Sequence, residues 1–101
     1  MPEAPTITPK QDTDERVETM PPYKVLLHDD EVTTFEFVIW LLITTFQKSA
    51  DEAVQLTWEV HNAGVALVCV TSLERGELYV EQVHSLARPR GFPLTASLEP
   101  A

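Results

Sequence analysis

Apolar and polar positions divide the chain into six periodic segments behind an opening stretch with no period. The first, Tyr23-Lys24-Val25-Leu26-Leu27, reads as a short strand that runs straight into the acids Asp29, Asp30 and Glu31. Thr33-Thr34-Phe35-Glu36 then spells a capping box, with the Thr33 hydroxyl taking an orphan amide and Glu36 reaching back to it. The helix it opens extends to about Phe46 and is apolar nearly all round, which implies burial on most faces or one face left open for an apolar guest. Ser49-Ala50-Asp51-Glu52 repeats the box, and Ala53, Leu56 and Val60 fall on one face of a second helix. That helix should end near His61-Asn62, with Gly64 as the left-handed residue beyond it. Val65 to Val70 is short, β-branched and continuous, the signature of a central strand. A third box, Thr71-Ser72-Leu73-Glu74, opens a helix carrying Val80, Val83 and Ala87, which Pro89 and Gly91 stop. Leu94 to Leu98 alternates like a half-exposed strand. The order is β-α-α-β-α-β, an α+β domain of one three-stranded sheet with three helices packed on it.

Residues 1 to 22 are of another composition. Pro2, Pro5, Pro9, Pro21 and Pro22, five of the eight prolines, stand there among Thr, Asp, Glu and Lys with few large apolar side chains. Such a stretch buries too little to offset its ordering, so a flexible tail is expected, either an inert leader or an arm that engages a partner. Residues 23 to 101 then form the one folded domain that 101 residues at 44% apolar content can support.

Charge narrows the classes of partner. Sixteen acids against seven bases leave a formal charge of -9, which disfavours nucleic acid and anionic membrane surfaces and steers cationic ligands inward. The single cysteine, Cys69, lies in an apolar run, so no disulfide framework is expected and a reducing compartment is. No segment is long and apolar enough to span a bilayer, and Met1-Pro2-Glu3-Ala4 lacks the basic and apolar regions of a signal peptide. A soluble cytoplasmic protein is the expectation.

Catalytic chemistry is thin. The chain has no Gly-x-Ser-x-Gly, phosphate loop, Cys-x-x-Cys or His-Glu-x-x-His, and Cys69 has no neighbour that would make it a nucleophile. His28, Asp29, Asp30 and His61 could be drawn as a metal set, but without a recognised ligand spacing they do not define one, and no metal or cofactor is expected. The conspicuous feature is the run of carboxylates where the first strand ends. Adjacent acids repel, so a fold that gathers them either turns them to solvent in an Asx-type turn or uses them to hold a cation.

Tyr23 to Leu27, Asp29-Asp30, Thr33, Glu36-Phe37-Val38, Val60-His61 with Gly64, and Pro93-Leu94 with Leu98-Glu99 together resemble the ClpS adaptor family of the Clp protease. The resemblance spans residues 23 to 99 without a gap. It implies a non-enzymatic adaptor that recognises a bulky hydrophobic N-terminal residue, an N-degron, and passes the protein bearing it to a Clp AAA+ unfoldase of the ClpA or ClpC type.

Position by position, the resemblance puts contacts to the substrate's α-amino group on Asp29, Asp30 and His61. It puts the side-chain pocket on Thr33, Phe35, Val38, Leu41, Thr57 and Val60, and the unfoldase interface on Glu74 and Tyr79. An ammonium does need fixed acceptors, which carboxylates and a neutral imidazole supply. The chain departs from the family's usual residues at Asp29 (asparagine), Glu31 (aspartate), Thr34 (proline), Phe35 and Thr57 (methionines) and Tyr79 (lysine). A rigid phenylalanine ring at the pocket should limit its size more firmly than a thioether. The competing readings are a domain of the same scaffold that serves as an interaction module without N-degron binding, and a small metal-dependent hydrolase.

Overall fold

The computed structural model describes residues 20–101; the proposed tail of residues 1 to 22 falls mostly outside them. The folded elements are β1 (Tyr23–His28), α1 (Phe35–Thr44), α2 (Ala50–Ala63), β2 (Val65–Thr71), α3 (Leu73–Ala87), a 3-10 turn (Arg88–Arg90) and β3 (Thr95–Pro100). The expected β-α-α-β-α-β order is the observed one.

The sheet runs β2-β1-β3, with both ladders antiparallel. The central strand is therefore β1, and the apolar run of β2, expected at the centre, forms an edge. Two facts explain its continuity. The ladder slips between Val25↔Cys69 and Leu26↔Leu67, leaving Val68 as a bulge and shifting the inward phase by one residue. Val65, Leu67 and Val70 then stand exposed rather than buried.

Alternation along β1 sends Val25 and Leu27 into the core, where neither has exposed surface. They meet Phe37, Val38, Leu41 and Leu42 of α1, Ala53 and Val60 of α2, and Val83 and Ala87 of α3. Leu94 and Ala96 close the cluster from the chain entering β3. Within α3, Gly76 allows close approach to the sheet, since a Cβ there would lie 2.6 Å from Leu98 Cδ2. The exposed side of α1 is partly sheathed: the Arg90 guanidinium lies 5.4 Å from the Phe37 ring centre and 5.3 Å from that of Trp40.

The helix starts follow the expected chemistry with two one-residue shifts. At α2 the full box forms, Ser49 Oγ accepting from the Glu52 amide and Glu52 accepting from the Ser49 amide, and Gly64 ends the helix at φ 87°. At α1 the cap is Thr34, whose hydroxyl accepts from the Phe37 amide, because Thr33 is already committed to Asp30. The third residue of that helix is then Phe37, so the reciprocal half of the box is missing. At α3 the cap is Ser72, since the ladder pairing of Thr71 with Tyr23 keeps Thr71 in β2. Among the described residues no helix is long and apolar enough to cross a membrane.

Candidate functional site

Where β1 ends, the Asp29 amide donates to the Gly64 carbonyl at 2.9 Å, which ties the strand to the end of α2 and sets Asp29 beside His61. Asp29 Oδ2 lies 3.9 Å from His61 Nδ1, and both side chains remain open to solvent. Asp30 does different work. Its Oδ1 accepts from the Val32 and Thr33 amides at 2.8 and 2.7 Å, and its Oδ2 accepts from the Thr33 hydroxyl at 2.7 Å. Burial pushes the Asp30 carboxyl up, but the bonds from Thr33 and Val32 and the field of Arg88 outweigh it and hold it below the ordinary carboxylate value. The Asx-type turn and the gathering of acids are thus both present. The turn fixes Asp30 in orientation, and a carboxylate with about four acceptor positions keeps capacity for one more donor after taking three.

These groups stand at the mouth of a hollow of about 250 Å³. Its walls are Thr33, Phe35 and Val38 from the start of α1, Thr57, Val60 and His61 from α2, and Leu94, with Asp29, Asp30 and Glu31 at the rim. It is smaller than pockets that take drug-sized ligands and has room for one large side chain. The buried Thr57 hydroxyl donates to the Ala53 carbonyl of its own helix at 2.7 Å, so it brings no unmet polar atom to the wall. Phe35 is half-buried, its ring edge-on to Trp58 at 4.8 Å and to His61 at 5.2 Å.

Nearly all the residues carried over by resemblance gather here. Leu41 does not: one turn beyond Val38, it has no exposed surface, belongs to the core and does not border the hollow. Leu94, which sequence reasoning did not assign to the site, does border it. Arg88 holds that residue in place, donating to the Leu94 and Phe92 carbonyls at 2.8 and 2.9 Å. The available signal was its place after Pro93, an apolar residue at the head of an alternating segment, which by itself also fits the start of a strand. Among the described residues no group of three His, Cys, Asp or Glu side chains is arranged to hold a metal. His28, drawn earlier into a possible metal set, sits 2.6 Å from Ser97 Oγ across the sheet. Cys69 is half-buried, and burial pushes its thiol up despite the nearby Lys48.

Glu74 and Tyr79 are not brought together, since five residues along a helix place them on different faces. Glu74 is exposed beside Met20, Pro21, Tyr23, Leu73 and Glu77 in a shallow groove of about 530 Å³. Tyr79 is half-buried, its ring 4.6 Å from that of Phe46.

A family model described as ATP-dependent Clp protease adaptor protein ClpS matches residues 18–97. The ATP-dependent Clp protease adapter protein ClpS of Desulfatibacillum aliphaticivorans is 47% identical over 78 residues, covering 77% of this chain and 75% of that protein. Its counterpart from Desulforapulum autotrophicum is 40% identical over 94 residues, covering 89% and 90%. Among solved structures, Agrobacterium tumefaciens ClpS2 bound to L-phenylalaninamide superposes with a TM-score of 0.78 at 32% identity, covering 80% of this chain and 98% of that one.

Proposed function

Because this chain belongs to the ClpS family of ATP-dependent Clp protease adaptor proteins, we propose that it recognises substrates by their N-terminal residue. It holds a free α-ammonium and a bulky hydrophobic first side chain, and delivers the protein bearing them to a cytoplasmic Clp AAA+ unfoldase of the ClpA or ClpC type. Its part is that of an adaptor, with proteolysis performed by the partner. The observation that carries this reading is one junction: Asp29, Asp30 and His61 at the mouth of a hollow walled by Phe35, Val38, Thr57, Val60 and Leu94. Acceptors for an ammonium donor and apolar walls line the same hollow, matching the ammonium and the side chain that an N-terminal residue presents together. That a structurally similar relative is bound to L-phenylalaninamide, which carries a free α-amino group beside an aromatic side chain, supports the same assignment.

On this reading Asp30 is the fixed acceptor, and Asp29 adds a second carboxylate to the rim. Glu74 marks the face presented to the unfoldase, and Tyr79, turned toward Phe46, contributes less to that face. The test is a fluorescence titration with peptides that begin with Phe, Leu, Trp or Tyr, each with its amino group free or acetylated. Free peptides should bind and acetylated ones should not. Equal binding of both forms would reject N-terminal recognition and favour an interaction module on the same scaffold.

A further inference from the structure

Phe35 is the first residue of α1, where the chain has just left an extended cap, and its ring stands at the edge of the hollow. Nothing in its own helix fixes that ring, because long side chains are steered by the preceding turn and Phe35 has no preceding turn. What holds it comes from α2. The Trp58 ring meets it edge-on at 4.8 Å and 86°, the His61 ring at 5.2 Å and 69°, and Trp58 and His61 themselves lie 6.1 Å apart at 78°. The two α2 residues are one turn apart and share a face, so together they form a corner into which the Phe35 ring fits. Trp58 does not border the hollow, and half of its own surface (51%) is exposed. A large aromatic side chain so exposed adds little to the core, so its contact with Phe35 is its principal packing role.

We propose that Trp58 is a positioning residue for substrate selection: it pins the Phe35 ring and so sets which N-terminal side chains the hollow accepts. This deepens the N-terminal recognition reading and rests on it. With Trp58 in place, the ring is a fixed wall that admits first side chains unbranched at Cβ and crowds those branched there. Without it, the ring loses the nearer of its two aromatic neighbours, keeps the His61 contact and can swing outward. Trp58 thereby acts through Phe35 without touching the bound residue.

The experiment is a double-mutant cycle on binding of free-amine peptides beginning with Leu, Phe, Ile or Val, using the full chain and its Trp58→Ala, Phe35→Ala and double variants. Trp58→Ala should reduce the preference for Leu and Phe over Ile and Val about fivefold, the equivalent of one aromatic pair. Trp58→Phe should restore most of it, and the double variant should discriminate no less than Phe35→Ala alone. Thermal unfolding of each variant checks that the domain stays folded. An unchanged ranking in Trp58→Ala overturns the proposal, as does a further loss when Trp58→Ala is added to Phe35→Ala, which would mean that Trp58 touches the ligand. A parent chain that binds none of the free peptides rejects the underlying recognition reading and this proposal with it.

Discussion

The mouth of the hollow and its floor are built by opposite means. At the mouth, residues 29 to 33 arrange one another: the Asp30 carboxylate takes two amides and a hydroxyl from residues two and three places on. At the floor, Val38, Val60 and Leu94 come from two helices and the segment before β3, and each is buried in the common core. The mouth keeps its shape through short-range hydrogen bonds that persist while its own turn is intact. The floor exists only while the whole domain is packed. On the proposed function, ligand charge falls to a locally determined element and ligand size to a global one, and perturbations of the two should separate.

The largest expected effect comes from the core behind the floor. Leu41→Ala should lower unfolding free energy by about 2 to 5 kcal/mol, the usual cost of a buried leucine, while leaving the ranking of N-terminal residues as it was. Chemical denaturation and the peptide panel measure the two outcomes. A changed ranking would mean that Leu41 shapes the floor, which would then reach one helical turn further along α1.

At the mouth, acetylating the peptide would remove the donors that the proposed function assigns to Asp29 and Asp30, and should cost at least about 2 kcal/mol of binding. The two acids themselves should then diverge. Asp30→Asn should destabilise the domain by about 1 kcal/mol as well as weaken binding, since it loses charge-assisted bonds to Val32 and Thr33. Asp29→Asn, whose carboxylate is free to solvent, should leave stability nearly unchanged, retain binding and flatten its dependence on salt. Similar unfolding midpoints for the two variants would show that the Asx turn does not stabilise the mouth.

Acid provides the smallest and most selective probe. His84 Nε2 accepts the Ala96 amide at 3.1 Å, which joins α3 to β3 just beyond Leu94. Burial and the neighbouring Arg88 lower its pKa from 6.5, so the folded protein holds the ring neutral where the unfolded chain would protonate it. Its contribution is complete above about pH 6.5 and is lost as the pH falls toward the lower folded value. The Asp30 carboxyl, lowered from 3.8, keeps its contribution down to that value and loses it only below. The floor should thus begin to weaken at milder acidity than the mouth. His84→Gln, which still offers an acceptor but does not titrate, should remove the shallow loss of melting temperature between about pH 7 and 5. A slope that survives this substitution assigns the loss to other groups.

The same division explains what could be read from the sequence. The Ser49 box, the Gly64 stop and the order of elements depend on neighbours in the chain, and each was legible there. The shift of the α1 cap from Thr33 to Thr34 was not, because two adjacent threonines compete and Asp30 decides between them. The edge position of β2 was hidden for a different reason. A run of small and β-branched residues looks alike whether it is buried on both faces or interrupted by a bulge at Val68 with Val65, Leu67 and Val70 left open. Leu41 and Leu94 exchange roles relative to expectation because helical spacing gives a face and not a depth, and which turn meets the hollow is set by residues more distant in the chain.

The central place of β1 also determines how the domain bears mechanical load. Tension applied to the chain ahead of Met20 enters the sheet at Tyr23, on a strand hydrogen-bonded along both edges, and the Ala101 amide donates to the Pro22 carbonyl at 3.0 Å beside that entry point. Such a strand cannot peel from one neighbour and leave the other intact; the β2 and β3 ladders must rupture together. A machine tugging on the N-terminal segment would therefore meet the best-fastened strand first, whereas one tugging at the C-terminus would meet β3, which is held along a single edge.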